Sequence, residues 1–207
     1  MAPREIGIFA LPLALAPGEL LPLHVFEDRY RDLIADCLER DAAFLVLYKD
    51  DEGTREIGCT ATVSEVLRRY DDGRLDLIVE GSAVVEVREI TRGRSYTTAI
   101  VDDAVDDPDP GGEQAGALDA YRAFAAASGL EADDDLEALG GPVSYVIMSR
   151  VELPGAEKQR LLETRSESGR LAALTGLLQR GLESLARVEE IRTRATGNGK
   201  VQQPKSG

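Results

Sequence analysis

The 207-residue chain has no tryptophan, a single histidine and only two cysteines, and each scarcity excludes a class of site. Cys37 and Cys59 cannot form a disulfide framework or a four-cysteine zinc site. Both lie among apolar neighbours, so we predict that they are small core residues of a protein in a reducing compartment. The one histidine, His24, stands between Leu23 and Val25 in an extended apolar segment. Because a catalytic histidine also needs a nucleophile and an orienting acid, we interpret His24 as structural.

The motifs of common catalytic sites are missing from the sequence as well. We find no phosphate-binding G-x-x-x-x-G-K-[ST] loop, no G-x-S-x-G elbow and no H-E-x-x-H pair. The acidic clusters at 106–109 and 133–135 offer oxygen ligands, but neither follows the pattern of a calcium-binding loop. We interpret both clusters as solvated loops. The sequence therefore predicts no catalytic residue, no cofactor and no metal site.

Long apolar runs are also lacking. No uninterrupted stretch reaches the roughly 20 residues of a membrane span, so no membrane association is expected. Arg4 and the apolar run after it resemble a secretion signal with a small-residue end at 14–16. Glu5, Pro12 and Pro17 argue against that interpretation, and we expect a cytoplasmic protein.

Basic residues are scarce, and the charge is uneven. The chain carries 24 Lys and Arg against 38 Asp and Glu, for a net charge of −14. Residues 102–140 contain 12 acids and one base, whereas residues 141–207 contain 11 bases and seven acids. A surface this negative repels the phosphate backbones that nucleic-acid-binding proteins attract. We therefore expect protein partners rather than nucleic acid.

Short apolar runs that alternate with polar residues predict β-strands in the first 101 residues. One helix interrupts them at 27–40, where apolar residues recur at spacings of three and four. The predicted strands lie at 6–11, 20–26, 44–48, 57–63, 75–79, 85–87 and 96–101. Pro22 favours an edge position or a bulge for the second strand. Strands at this spacing suggest a small barrel or a folded-over sheet.

The rest of the chain has a helical pattern. Acids, prolines and glycines at 102–116 predict an acidic linker. Helices are expected at 118–127, 143–153, 157–163 and 166–192, so that 117–192 forms a helical bundle and 193–207 a disordered tail. The apolar stripe of the longest helix could bind a partner helix, but we expect it to pack on the other helices. That stripe consists of Leu171, Leu174, Leu178, Leu185, Val188 and Ile191.

One stretch, LPLALAPGELLPLHVFEDRYRDLIADCL at 11–38, resembles the opening of the Lon protease N-terminal, or substrate-binding, domain. The resemblance rests on Pro17-Gly18, the Leu-Pro-Leu-His run at 21–24, and Glu27-x-Arg29-Tyr30 at the start of the helix. It continues at 57–59, 72–73 and 79–81, and in the helical part at 144–145 and 157–163. After Gly81 the family often has a basic strand, whereas this chain has Val84-Val85-Glu86.

The resemblance implies an α+β fold. Residues 1–101 would form a PUA-like β-barrel with one helix, followed by the C-terminal α-helical bundle. It also implies a non-catalytic module that recognises unfolded or partly folded proteins, because this sequence includes no ATPase or peptidase motif. Such a module could act as an adaptor for a separate protease or chaperone. The alternative is a PUA-like RNA-binding protein, which the charge opposes.

Two surfaces are candidates for peptide contact. One is the cleft between barrel and bundle. The other is the extended apolar segment that includes Leu20, Leu21, Leu23, Val25 and Phe26. An edge strand there could pair with an extended peptide. The acids nearby, Glu19, Glu27 and Asp28, would favour apolar clients with basic flanks.

Overall fold

The structure is a computed structural model that describes residues 4–109, 111–130, 136 and 141–198. Its described part is a mixed α+β fold, as predicted, with a six-stranded sheet and five helices. The strands are β1 (Arg4–Leu11), β2 (Leu20–Val25), β3 (Phe44–Asp50), β4 (Gly53–Arg69), β5 (Leu75–Thr91) and β6 (Thr98–Asp103). The helices are α1 (Asp28–Arg40), α2 (Gln114–Ser128), α3 (Val143–Arg150), α4 (Gly155–Glu163) and α5 (Glu167–Asn198).

The strand order of the sheet is β2-β5-β4-β3-β1-β6, and β5 also pairs with β6. Only β1 and β3 are parallel among these pairs. Strand β1 pairs with β3, β3 with β4, β4 with β5, β5 with β6, and β6 again with β1. These five strands therefore form a closed circuit of pairings. Strand β2 lies outside that circuit and pairs with the first half of β5. Pro22 is thus on an edge strand, as its missing N–H predicts.

Strands β4 and β5 are longer than the sequence indicated, at 17 residues each. The runs predicted at 75–79 and 85–87 are parts of one strand, and Gly81 lies inside it rather than at a break. Three register shifts in the β4–β5 ladder let these strands bend while they stay paired. A Cβ at Gly81 would lie 2.1 Å from the carbonyl oxygen of Ala16, so the close approach of two backbones requires glycine there.

Helix α1 covers one side of the sheet with the stripe that its sequence predicts. Tyr30, Leu33, Ile34 and Cys37 are buried. The ring of Tyr30 stacks on Phe9 of β1 with centroids 3.9 Å apart. This core fixes the inner face of β2, because Val25 belongs to the same buried cluster.

A second core joins the helices to the sheet. Helix α5 packs mainly on α2, and the cluster between them also contains Ala14, Ala16 and Val84 from the β-rich part. The prediction that the α5 stripe packs on the other helices is correct for its first half, since Leu171, Leu174 and Leu178 are buried. It is wrong for the second half, where three aliphatic side chains are exposed: Leu185, Val188 and Ile191. No other described helix lies beside that half of α5 to cover it.

The acidic segment after β6 is fastened to α5. Asp106 pairs with Arg170, which is fully buried, at 2.5 Å. Asp109 accepts hydrogen bonds from the Ser168 N–H and the Ser166 hydroxyl. The prediction of a solvated loop at 106–109 is therefore wrong for these two carboxylates. The other predicted acidic loop, 133–135, lies outside the described residues.

The boundaries of the predicted segments also differ from those of the elements. Strand β6 extends to Asp103 and α2 begins at Gln114, so both overlap the expected linker at 102–116. Helix α5 continues through Asn198, past the predicted helix end at 192 and into the expected tail. The remainder of that tail, 199–207, lies outside the described residues.

Candidate functional site

The free edge of the sheet is formed by β2. Its register with β5 runs from Leu20 opposite Glu80 to Val25 opposite Leu75. Just before this ladder, the Gly81 N–H donates to the Glu19 carbonyl at 3.0 Å. Hydrogen-bonded positions alternate in an antiparallel pair, so residues 21, 23 and 25 direct their backbone groups at β5. The backbone groups of Leu20, Pro22 and His24 consequently point to the free edge.

The five side chains predicted for peptide contact divide into two sets. Leu20 is 59% exposed and Phe26 is 60% exposed, so both are available to a partner. Leu21 and Leu23 are partly buried against the core under α1, and Val25 is 1% exposed. The period-2 alternation of a strand explains the division, because successive side chains point to opposite faces. The inner three support the edge, and only the outer two form its apolar surface.

A polar cluster lies on the outer face next to Phe26. His24 Nδ1 is 2.5 Å from Asp76 on β5, and the Tyr70 hydroxyl donates to the same carboxylate at 2.7 Å. The hydrogen bonds from His24 and then Tyr70 lower the pKa of Asp76. The His24 ring lies 6.0 Å from the Phe26 ring between centroids. His24 therefore bridges two strands at the surface, with its side chain 45% exposed, rather than filling the core.

The acids expected to attract basic clients are already paired within the chain. Glu19 is held by Lys158 of α4 at 2.6 Å and also accepts from the Ala16 N–H. Glu27 pairs with Arg29 at 2.7 Å, and Asp28 pairs with Arg31. A carboxylate in an ion pair attracts a second cation less strongly. The structure thus gives less reason than the sequence did to expect a preference for client peptides with basic residues.

A cleft opens beside the start of β2. Pairing of β5 with β2 ends at Glu80, and pairing with β6 begins at Val85, so the intervening stretch of β5 has no strand on that side among the described residues. Helix α3 faces this gap and forms one wall of an open cleft of about 480 Å³. The lining residues are Pro17, Gly18, Glu80, Ser82, Ala83, Val84, Gly141, Pro142, Tyr145, Val146, Ser149 and Arg150.

The rim of the cleft is fixed by the turn at 17–18. Gly18 has φ +75°, which favours glycine, and its N–H donates to the Gly81 carbonyl at 2.8 Å. The buried pair of Lys158 and Glu19 ties the residue after this turn to α4. The Pro-Gly signal located the turn in the sequence, but nothing local indicated that α3 or α4 would meet it.

Behind the cleft lies a polar network that the sequence did not reveal. The buried Arg170 guanidinium lies over the Tyr145 ring at 4.4 Å and donates to the Ser144 hydroxyl at 2.9 Å. Glu167 accepts from both the N–H and the hydroxyl of Ser144. Burial raises the pKa of the Tyr145 phenol to about 12. The network holds α3 against the N-terminal end of α5 and so positions one wall of the cleft.

Two further findings concern metal ions and membranes. Among the described residues, no group of three or more His, Cys, Asp or Glu side chains is arranged to hold a metal ion. No helix within the described ranges combines the length and apolarity that crossing a membrane requires.

Comparisons with known proteins identify relatives over most of the chain. The family model of the ATP-dependent protease La (LON) substrate-binding domain matches residues 6–180. Lon protease 2 of Syntrophobacter fumaroxidans is 26% identical over 209 residues, which cover 93% of this chain and 26% of that protein. Lon protease 2 of Myxococcus xanthus is 25% identical over 198 residues, covering 87% of this chain and 24% of that protein. The chain thus spans about a quarter of the length of the curated relatives it matches.

Solved structures share the fold. The Lon N-terminal domain protein from Xanthomonas campestris superposes with a TM-score of 0.62 at 22% identity, covering 84% of this chain and 98% of that one. The N-terminal domain of Mycobacterium avium complex Lon protease gives a TM-score of 0.69 at 18% identity, covering 85% and 98%.

Proposed function

This chain belongs to the Lon substrate-binding domain family, and from that premise we propose that it binds unfolded or partly folded protein segments along the β2 edge. The observation that carries the proposal is the free edge itself, with outward backbone groups at Leu20, Pro22 and His24. An extended peptide can add to such an edge through main-chain hydrogen bonds, which tolerate many sequences. Exposed Leu20 and Phe26 at its two ends would contact apolar side chains of the client.

The cleft next to Leu20 extends this surface. A peptide that leaves the edge at Leu20 would reach the gap between β5 and α3, which is wide enough for a few side chains at about 480 Å³. Apolar walls formed by Val84, Pro142 and Val146 would favour apolar client residues there. Because the acids near β2 are paired internally, we expect apolar character to decide affinity and salt to affect it only weakly.

A reporter at the edge would test this function. The chain has no tryptophan, so Phe26→Trp gives a single tryptophan beside β2 whose emission can be excited selectively, while keeping an apolar aromatic side chain. Titration with a labelled library of extended apolar peptides should shift its emission, with affinity on the order of micromolar. Unchanged emission across the library, in a folded protein, would contradict binding at this edge.

A matched pair of variants separates edge pairing from side-chain contact. His24→Pro removes the outward N–H without removing a bond to β5, whereas His24→Ala removes the same imidazole and keeps the N–H. We expect His24→Pro to bind roughly fivefold more weakly than His24→Ala, the effect of about one net hydrogen bond. Equal affinities would show that main-chain pairing at β2 is not used.

We also propose a more specific fold, a cellular location and an adaptor role for the protein. The closed circuit of strand pairings supports a PUA-like barrel, and the packing of α2 on α5 supports a helical bundle. Two free, buried cysteines support a reducing, cytoplasmic location. An adaptor role for a separate protease or chaperone would suit a recognition module, and co-purification from native extract would identify such a partner. The RNA-binding alternative gains no support from the family match, and we do not propose it.

A further inference from the structure

The apolar stripe of α5 continues beyond the body of the molecule. Leu171, Leu174 and Leu178 are buried at 3% exposure or less. Leu185, Val188 and Ile191, which we call the outer stripe, are 37%, 60% and 67% exposed. They follow at spacings of three residues, so they occupy one side of the helix. The outer stripe therefore extends an established helix–helix interface into solvent.

The helix projects at this point. Gly181 still lies against the Phe124 ring of α2, where an added Cβ would be 2.7 Å from the ring. Helix α2 ends at Ser128, and residues 183–194 of α5 are all exposed. Twelve helical residues extend about 18 Å. A lone helix of that length is marginal in water, so a partner packed along it would stabilise it.

The opposite side of this segment is charged. Glu183, Arg187, Glu190 and Arg194 follow at helical spacings, and Arg194 pairs with Glu190 at 2.5 Å. A solvated helix would be expected to be polar all round, whereas this one has distinct apolar and charged sides. The outer stripe thus has the pattern of a surface that packs on another helix.

Charge indicates what that other helix is. The whole chain carries −14, which makes two copies repel each other over most of their surface. The segment 183–194 holds three Glu and three Arg and is neutral, and it lies in the last third of the chain, 141–207, where 11 bases outnumber seven acids. Two copies can therefore approach here, and an antiparallel arrangement keeps the two acidic bodies at opposite ends.

We propose that a second copy of this chain binds along the outer stripe of α5, forming an antiparallel two-helix interface with twofold symmetry. In such an isologous interface every contact occurs twice, because residue i of one copy meets residue j of the other and residue j of the first meets residue i of the second. An alignment that places Val188 of one copy against Ile191 of the other brings the outer stripes of the two copies into contact. The same contact buries the apolar side of each helix and leaves its charged side in solvent.

The oligomeric state tests this inference in the full chain, independently of peptide binding. We expect the mass measured by light scattering to rise from 22.4 kDa toward twice that value as the concentration increases. Val188→Glu should weaken dimerisation at least tenfold. Ala186→Glu, which adds the same charge to an exposed position on the opposite side, should change it less than threefold. A monomer at all concentrations, or equal effects of the two variants, would overturn the proposal.

Cysteine cross-linking tests the orientation. The native Cys37 and Cys59 are buried, so a disulfide between copies would be formed by the cysteines introduced at the surface. A mixture of Val188→Cys and Ile191→Cys proteins should form a disulfide between copies under mild oxidation. Leu185→Cys alone should not, because antiparallel pairing separates the two Leu185 positions by about 14 Å along the axis, beyond the reach of a disulfide. Efficient self-linking of Leu185→Cys would show a parallel dimer and overturn the antiparallel arrangement.

Discussion

Single residues in the acidic segment show where sequence composition stops being informative. The run at 106–109 has the composition of a solvated loop, and nothing local distinguishes Asp106 or Asp109 from their neighbours. Their partners, Arg170 and Ser168, lie about 60 residues later and become neighbours only when α5 packs beside the end of β6. An arginine directly before the apolar stripe of α5 was the one available signal, because a buried guanidinium requires carboxylates near it.

Asp109 should make stability depend on pH in the acid range. Hydrogen bonds from the N–H groups of Ser168 and Gly111, and from the Ser166 hydroxyl, lower its pKa well below the usual 3.8. A carboxyl whose pKa is lower in the folded state stabilises the fold above its unfolded pKa and loses that contribution as pH falls toward the folded value. We therefore expect Asp109→Ala to be less stable than the native chain at pH 7. The difference in urea midpoint should shrink as pH falls below about 4.

The matched control for this measurement is Asp107→Ala. Asp107 contributes its backbone N–H to the Arg165 carbonyl, a bond that the substitution keeps. The urea midpoint of Asp107→Ala should stay close to that of the native chain at every pH measured. A constant difference between Asp109→Ala and the native chain down to pH 2 would contradict the assignment.

At the scale of elements, periodicity predicted which segments are strands or helices better than it predicted where they end. Helix α1 and strands β1, β2 and β3 agree closely with their patterns, because each is bounded by a turn residue or a change of period. Strands β4 and β5 do not, since a bulge keeps a bent strand paired where the sequence pattern appears to stop. At Gly81 the glycine indicated a break, although its actual reason is contact with the backbone at Ala16.

A substitution at Gly81 checks that reason. An alanine Cβ would lie 2.1 Å from the Ala16 carbonyl oxygen, a backbone atom that can move only if the turn at 17–18 moves with it. We expect Gly81→Ala to lower the free energy of unfolding by about 3 kcal/mol. Gly116→Ala in α2 is the control, because no atom outside the neighbouring backbone of α2 lies within 4 Å of the added methyl group. It should stabilise by about 0.5–1 kcal/mol, and equal values for both variants would refute the explanation.

At the scale of the molecule, the sequence predicted a β-rich part and a helical part but not how they join. The resemblance to a known family gave the fold, and the outward positions of β2 follow from Pro22 and simple alternation. The cleft did not follow, because its walls come from β5 and α3, which are some 60 residues apart in sequence. The shared core of Ala14, Ala16 and Val84 with the helices is equally non-local. Contacts of this kind make the two parts depend on each other.

We accordingly predict that both parts unfold in one cooperative transition and that Lys158→Met lowers the stability of both. Lys158 of α4 is 7% exposed and pairs at 2.6 Å with Glu19, which precedes β2. Removing the cation leaves a largely buried carboxylate without its ion pair, at a cost of about 3 kcal/mol. Lys158→Met combined with Glu19→Gln should recover at least half of that loss, because the amide keeps an acceptor for the Ala16 N–H.

Hydrogen exchange should show the amides of β3 and of α3 losing protection together in Lys158→Met. Faster exchange confined to α3, with β3 unchanged, would show instead that the helical part opens by itself.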